Sequence, residues 1–212
     1  MKKYEFTGET KRVELWNRTA TLHRIKATVE FGFVKVGELG GWIEKEENLS
    51  HEGKAWVCGD AKVCGNAEVC GDAKVCGNAK VWGNAKVCGN AKVCGDAEVC
   101  GNAEVCGNAK VCGNAEVWGN AKVCGDAEVC GDAEVFLASH VLVMGSVGSR
   151  NDFTTFFRDK DNEITVKCGC FLGKIDKFLE KVTQTHGNNK YALVYRAAVE
   201  VAKLQIELTE RK

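Results

Sequence analysis

A six-residue repeat occupies the middle of this chain and restricts its fold more than any other feature. Alanine recurs at every sixth position from Ala55 to Ala133, in 14 consecutive units that read Ala-(Lys/Glu)-Val-(Cys/Trp)-Gly-(Asn/Asp) with few exceptions. Because a strand shows alternate residues to opposite sides, Ala and Val point one way, and Lys or Glu and Cys point the other. The Gly-Asn or Gly-Asp step favours a sharp turn. The repeat therefore predicts short strands joined by corners and excludes a helix.

The inward residues of the repeat are small, so three such sides would close a narrow triangular coil. An aliphatic residue followed four positions later by a small one, as in Val57 to Ala61, resembles the motif of the hexapeptide-repeat family. That resemblance covers nearly half of the chain and implies a left-handed parallel β-helix with about 18 residues per coil. Weaker units in phase extend the repeat to residues 49–147. We therefore expect a mainly β fold with a three-sided solenoid of about 5–6 coils.

The flanking sequences divide the chain into three predicted domains. The solenoid at 49–147 lies between a β-rich N-terminal cap at 1–48 and a small domain at 148–212. Alternating stretches in the cap favour three short strands, at Tyr4–Phe6, Val13–Trp16 and Thr21–Ala27. A Gly-Gly-Trp turn at 40–42 and the Leu-Ser-x-x-Gly step at 49–53 resemble the entry of uncharacterised bacterial and phage-type hexapeptide-repeat proteins. That resemblance implies no known chemistry.

The C-terminal segment is predicted to form a ββαα unit. Phe153–Phe157 and Ile164–Lys167 flank a polar loop and favour a β-hairpin. Apolar residues at helical spacing begin at Ile175 and end before Gly187, a residue that suits a helix C-cap. A last helix is expected from about residue 189 to residue 208. Its apolar stripe comprises Ala192, Tyr195, Val199, Ala202 and Ile206.

The cysteine count and the charge balance argue against several functional classes. The chain has 13 cysteines, an odd number, and eleven of them occupy one position of the repeat. That placement indicates packing rather than a disulfide framework. Because the first residues contain no apolar signal core, we expect a reduced, cytoplasmic protein. The 29 basic and 29 acidic residues balance, so nothing predicts binding to nucleic acid or to a membrane.

Residues one coil apart should stack in columns, and two of these columns are candidate binding surfaces. One column alternates cysteines with Trp82, Trp118 and Phe136, and we expect a partner chain or the protein's own terminal segments to cover it. A second column is mostly basic and is the one suited to an anion; it contains Trp56, Lys74, Lys92 and Lys110. The cysteines are expected to act as small hydrophobic side chains. Stacked Cβ atoms about 4.8 Å apart do not converge as a disulfide requires.

One short motif outside the repeat has reactive potential. Cys168 and Cys170 lie two positions apart and are weak candidates for a metal site, although a turn with two packed cysteines is the simpler interpretation. Arg150, Arg158, Lys160 and Lys167 could form a basic spot near this motif for an anion or a nucleotide, although a solvated hairpin is the simpler interpretation. We expect no catalytic residue, no bound metal and no cofactor.

Together these patterns favour a non-catalytic binding or scaffolding protein that uses the solenoid as a rigid spacer within a homo-oligomer, either a trimer or a dimer. A phage-borne inhibitor that sequesters a host defence protein or a small nucleotide is one alternative. An acyltransferase is another, since many hexapeptide-repeat proteins are acyltransferases. Such enzymes resemble one another in a catalytic histidine and a loop that interrupts the coils. The repeats from Ala55 to Ala133 have neither, and His51 and His140 only flank them.

Overall fold

The computed structural model describes residues 2–15 and 18–208. Three strands precede the repeats: β1 (Tyr4–Glu14), β2 (Thr19–Ala27) and β3 (Leu39–Ile43). Each repeat unit then contributes one strand of two residues. These fourteen strands are β4 (Trp56–Val57), β5 (Lys62–Val63), β6 (Glu68–Val69), β7 (Lys74–Val75), β8 (Lys80–Val81), β9 (Lys86–Val87), β10 (Lys92–Val93), β11 (Glu98–Val99), β12 (Glu104–Val105), β13 (Lys110–Val111), β14 (Glu116–Val117), β15 (Lys122–Val123), β16 (Glu128–Val129) and β17 (Glu134–Val135). Four strands and two helices follow: β18 (Val141–Val147), β19 (Asp152–Arg158), β20 (Ile164–Cys168), β21 (Phe171–Lys174), α1 (Ile175–His186) and α2 (Lys190–Gln205).

The repeats wind into a parallel β-solenoid of about five turns with three walls. Strands one coil apart pair in register, so that Lys92 lies between Lys74 and Lys110. We call the walls after their outward residues. The aromatic wall is β3-β5-β8-β11-β14-β17, the lysine wall is β4-β7-β10-β13-β16, and the alternating wall is β6-β9-β12-β15.

The interior of the solenoid consists of the two residue types that the repeat points inward. Every alanine from Ala55 to Ala133 and every valine from Val57 to Val135 in the repeat is buried. Burying one valine side chain contributes about 1.5–3 kcal/mol. The backbone N–H groups of the Lys/Glu, Cys/Trp and Asn/Asp positions donate to carbonyls of the next coil, as in Lys92 N to Ala109 O at 2.8 Å. The predicted mainly β fold with a solenoid is confirmed. Its left-handed winding stays a prediction.

The N-terminal cap continues the aromatic wall beyond the first coil. Strands β1 and β2 form an antiparallel hairpin, β2 pairs with β3, and β3 runs parallel to β5. This order leaves no strand edge of the first coil open on that wall. The Gly-Gly-Trp sequence lies inside β3 rather than in the predicted turn. Both glycines are needed for close packing, because a Cβ on Gly40 would lie 2.5 Å from Ile25 and one on Gly41 would lie 2.7 Å from the Ala61 carbonyl oxygen. Of the strand predicted at residues 13–16, Val13 and Glu14 lie in β1, and Trp16 lies outside the described residues.

An antiparallel sheet, β18-β19-β20-β21, follows the last coil. The predicted hairpin is confirmed as β19 and β20. Residues 141–147, whose valines continue the phase of the repeat, do not form a coil; they form β18, which pairs with β19. The repeat has no Gly-Asn corner after Phe136, and the chain leaves the coil through a short 3-10 helix at Ala138–His140. The side chain of Phe157 is buried in the same cluster as the solenoid interior, so β19 closes the last coil.

Two helices complete the C-terminal region, as the sequence predicts. Gly187 ends α1 with φ of 57° and donates its N–H to the Thr183 carbonyl. The side chain of Asn189 caps α2 by accepting hydrogen bonds from the N–H groups of Tyr191 and Ala192. Within the described part of the chain, no helix has the length and apolar character needed to cross a bilayer.

Candidate interaction surfaces

The aromatic wall is covered at its first coils by the N-terminal hairpin. Trp82 packs, together with Val13 and Leu15, against a buried cluster that includes Leu22, Trp42 and Cys64. Because Trp42 belongs to β3 and Leu22 to β2, the cap both extends this wall and folds its hairpin over the outer face. Trp82 is half-buried as a result.

The last coils of the same wall are covered by the C-terminal region. The rings of Trp118 and Phe136 stack with centroids 4.6 Å apart. His140 meets the Phe136 ring edge-on at 4.3 Å, and the Arg158 guanidinium lies 4.9 Å above it. We expected either a partner chain or the protein's own terminal segments to cover this apolar strip. The terminal segments contact it at both ends. A role for Trp82, Trp118 and Phe136 in partner binding stays a prediction.

Two residues predicted to bind a partner are buried in the chain itself. Trp56 lies beneath the cap, with its ring 5.4 Å from that of Phe31 and 6.5 Å from that of Tyr4. Arg158 is buried in an ion pair with Glu134, so it does not join Arg150 in a basic surface spot. The sequence could not reveal either position, because both depend on how a terminal segment folds against the solenoid.

The remaining residues of the basic column lie on the outer face of the lysine wall. Lys74 and Lys92 are exposed and make no ion pair with any described carboxylate. Lys110 differs, because its Nζ lies 2.5 Å from Glu128 Oε1, and Glu128 is also 3.3 Å from Lys167. A groove of about 290 Å³ lies beside this charged triad at the junction with the C-terminal sheet. The free positive charge of the column is thus concentrated at its first coils.

The Cys168 and Cys170 motif does not form a metal site with other described residues. Thr154 donates to Cys168 Sγ at 3.3 Å, and the Tyr195 hydroxyl lies 3.9 Å from the same sulfur. Cys170 is exposed. Among the described residues there is no cluster of three or more His, Cys, Asp or Glu side chains that could hold a metal ion.

Helix α2 presents a second apolar stripe that the sequence analysis missed. The apolar stripe that the sequence predicts, with Tyr195 and Val199, is buried against the C-terminal sheet. The opposite stripe is exposed, with Leu204 at 89% and Val201 at 45% exposure. Its members within the helix follow the 3-4-3 spacing of a heptad seam: Val194, Ala197, Val201 and Leu204. That spacing is visible in the sequence, but two stripes on one helix cannot be assigned to core and surface without the sheet.

The two histidines that flank the repeats are packed rather than presented to a cavity. His51 stacks on the Tyr4 ring at 4.3 Å, and its Nδ1 accepts from the Lys3 N–H. His140 is fully buried, and its Nδ1 accepts from the Phe136 N–H at 3.4 Å. Burial and the nearby Arg158 guanidinium lower the pKa of His140 to about 4. A neutral, enclosed imidazole of this kind is suited to packing.

We expect acid to destabilise the protein through His140. Its pKa is about 4 in the folded protein and 6.5 when unperturbed, so the unfolded chain takes up the proton first as the pH falls. The stabilisation is complete above pH 6.5 and is lost progressively towards pH 4, by about 2–3 kcal/mol. Urea unfolding of the wild type and of His140→Gln at several pH values would measure this. The difference between the two curves should shrink as the pH falls, and a constant difference would contradict the assignment.

Similarity to known proteins adds no functional assignment. No protein-family model matches the sequence of this chain, and no curated protein matches it. Function must therefore be inferred from the geometry of these surfaces.

Proposed function

We propose that this protein is a non-catalytic scaffold, in which a left-handed hexapeptide-repeat solenoid acts as a rigid spacer and helix α2 joins the chain to a second copy of itself. The observation that carries this proposal is the exposed stripe of α2. A soluble chain rarely leaves a contiguous row of large apolar side chains in water, and such rows usually mark an interface. The other described segments of this chain leave Val201 and Leu204 of the stripe exposed.

The spacing of the exposed stripe supports a copy of the same helix as its partner. Residues at a 3-4-3 spacing form a continuous seam along one side of a helix, into which the same seam of another helix can interdigitate. A twofold axis brings identical patches together, so one helix can supply both sides of the contact. Of the charges in α2, Lys203 pairs with Glu200 at 2.9 Å, and Lys190 and Arg196 remain in excess. Exposed charges repel each other only weakly in water, so this excess does not preclude a second copy.

The spacer role is supported by the solid interior and uninterrupted walls of the solenoid. The interior of the coils consists of buried alanine and valine side chains from Ala55 to Val135. Strands pair in register from the first coil to the last without an inserted loop. An acyltransferase would need a shaped acceptor site beside an accessible histidine, whereas His140 is buried and His51 is stacked under a tyrosine. Sequestration of a host protein or a nucleotide stays an alternative without a specific observation in its favour.

The double variant Val201→Gln/Leu204→Gln tests the proposal. Both side chains are exposed in the single chain, so the fold should be retained while self-association is lost. Burying one such side chain at an interface contributes about 1.5–3 kcal/mol, and the loss is therefore expected to shift the protein from oligomer to monomer at micromolar concentration. Sedimentation velocity would measure the mass, and circular dichroism would confirm the fold.

Lys203→Gln is the matched control, because it adds the same side chain to the same turn of α2 outside the seam. It should leave the oligomer intact. A wild-type chain that sediments as a monomer, or a double variant that associates like the wild type, would overturn the proposal.

A further inference from the structure

The last two coils of the lysine wall bring two thiols into direct contact. Cys112 Sγ and Cys130 Sγ share a hydrogen bond and lie 2.7 Å apart, and both cysteines are free. They follow β13 and β16, which pair in register, so they occupy the same position of successive coils. Side chains that stayed parallel on successive coils would keep the strand spacing of about 4.8 Å. The two sulfur atoms therefore turn towards each other, and we call these residues the junction pair.

We propose that hydrogen peroxide oxidises the junction pair, Cys112 and Cys130, to a disulfide that joins the last two coils of the lysine wall. One thiol attacks the peroxide, the O–O bond breaks, and a sulfenic acid and a water form. The second thiol attacks the sulfenic sulfur, the S–S bond forms and the sulfenic oxygen leaves as water. Two thiols and one peroxide thus give one disulfide and two waters. The proposal goes beyond the scaffold role and does not depend on it.

The backbone of the two coils already has the spacing that a disulfide requires. Parallel strands lie about 4.8 Å apart, and disulfides join Cα atoms that are about 4.4–6.8 Å apart. An S–S bond is about 2.05 Å long, so the sulfur atoms need to approach by only about 0.7 Å from their present separation. Small rotations of two short side chains supply that movement. The bond can therefore form without displacing either coil.

The surroundings of the junction pair favour an internal bond over a mixed disulfide with another thiol. Cys130 is only 8% exposed. The C-terminal sheet lies beside the next corner, where a Cβ on Gly131 would lie 3.4 Å from Leu172 Cδ2. Cys112 is half-buried, so a molecule as small as hydrogen peroxide can reach it. A bulky thiol has less room there than the neighbouring cysteine, which is already in contact.

The groups around the pair give its two members different roles. The hydrogen bond with Cys130 lowers the pKa of Cys112 to about 7, against the effect of burial. The ammonium groups of Lys167 and Lys110 act in the same direction as that hydrogen bond. The pKa of Cys130 is raised by the hydrogen bond with Cys112 and by burial. Because the thiolate is the nucleophile, we expect Cys112 to attack the peroxide and Cys130 to attack the resulting sulfenic acid.

The alternating wall offers a stacked pair for comparison. Cys88 and Cys106 also occupy one position of successive coils, and both are free and half-buried. Cys88 feels the neighbouring thiols only through charge, and no hydrogen bond joins its sulfur to another described sulfur atom. The two pairs share their backbone geometry and differ in the contact between their sulfur atoms. We therefore expect peroxide to join the junction pair first.

Peptide mapping of the reduced full-length protein tests the proposal, after treatment with one equivalent of hydrogen peroxide and alkylation of the remaining thiols. Trypsin separates Cys112, in residues 111–122, from Cys130, in residues 123–150. The wild type should yield these two segments as one cross-linked peptide, with eleven of the thirteen cysteines alkylated. The oxidised chain should unfold at a higher temperature than the reduced chain, because the bond closes a loop between residues 18 positions apart. Dithiothreitol should reverse both changes.

Cys130→Ser should abolish the cross-link and the shift in unfolding temperature. It should also leave Cys112 as a sulfenic acid, which dimedone labels in residues 111–122. Cys88→Ser/Cys106→Ser is the matched control and should form the cross-link as the wild type does. Circular dichroism of each variant would show that the solenoid remains folded during the comparison.

Three results would overturn the proposal. Thirteen alkylated cysteines in the treated wild type would mean that the junction pair does not react. A cross-link that persists in Cys130→Ser would identify Cys124, which lies in the same tryptic peptide, as the partner. A cross-link of residues 87–92 to residues 93–110 in equal yield would mean that stacking alone, without contact between sulfur atoms, selects the cysteines that react.

Discussion

Replacing Arg158 with methionine is expected to lower the free energy of unfolding by about 3–5 kcal/mol. The side chains of Arg158 and Glu134 are only 3% and 7% exposed, and Nη1 lies 3.0 Å from Oε2. The same nitrogen donates to the Glu134 carbonyl at 3.2 Å, and Nε donates to Asn162 at 2.9 Å. The substitution would leave the buried Glu134 carboxylate without this cation. The pair joins strand β17 of the last coil to strand β19, so we expect the junction of solenoid and sheet to loosen first.

Guanidinium unfolding followed by tryptophan fluorescence would measure the loss. Lys160→Met is the matched control, because Lys160 also pairs with a coil residue, Asp132 at 2.9 Å, but both side chains are about half exposed. We expect that variant to change stability little, because exposed ion pairs are screened by water and salt. The double variant Arg158→Met/Glu134→Leu should recover most of the stability, because it removes both buried charges. A cost for Arg158→Met no larger than that of the control would show that the buried pair contributes little.

Substituting one corner glycine with alanine is expected to destabilise the solenoid by about 2–5 kcal/mol when another coil lies above it. Gly107 has φ of +70°, and a Cβ there would lie 2.9 Å from the amide nitrogen of Gly125 and 3.0 Å from its oxygen. The backbone conformation alone costs a non-glycine residue about 1–2 kcal/mol. Forcing apart two stacked coils adds about 1–3 kcal/mol. The next coil cannot yield freely, because its backbone pairs along the whole wall.

Gly125→Ala separates the two contributions. Gly125 occupies the same corner one coil later with φ of +69°, and no described atom lies within 4 Å of the position of a Cβ. Only the conformational cost of about 1–2 kcal/mol should remain. Thermal unfolding of both variants would compare them directly. Equal effects of Gly107→Ala and Gly125→Ala would show that close stacking of the coils does not limit the corner residue.

The sequence by itself determined the solenoid, because each repeat contacts mainly its neighbours in an identical environment. Period two along the strand decided that Ala91 and Val93 face inward, and the Gly-Asn step decided where each corner falls. The columns of cysteine, lysine and aromatic residues follow from the coil length alone. The helices at the C-terminus were also predicted well, because Gly187 and Asn189 mark their ends by local capping.

Only the tertiary structure decided which surfaces the terminal segments cover. Trp56 is buried because the cap folds against the first coil, and Arg158 forms a buried ion pair because β19 folds against the last coil. Contacts between such distant segments produce no periodic pattern in the sequence. Residues 141–147 keep the valine phase of the repeat, yet they pair with β19. The side chain of Phe157 in β19 packs against the interior of the last coil. Helix α2 is apolar on two sides, and packing of one side against the sheet leaves Val201 and Leu204 in water. The physical reason is that contacts between neighbouring repeats follow from local spacing, whereas contacts between distant segments depend on which apolar surface each segment finds to bury.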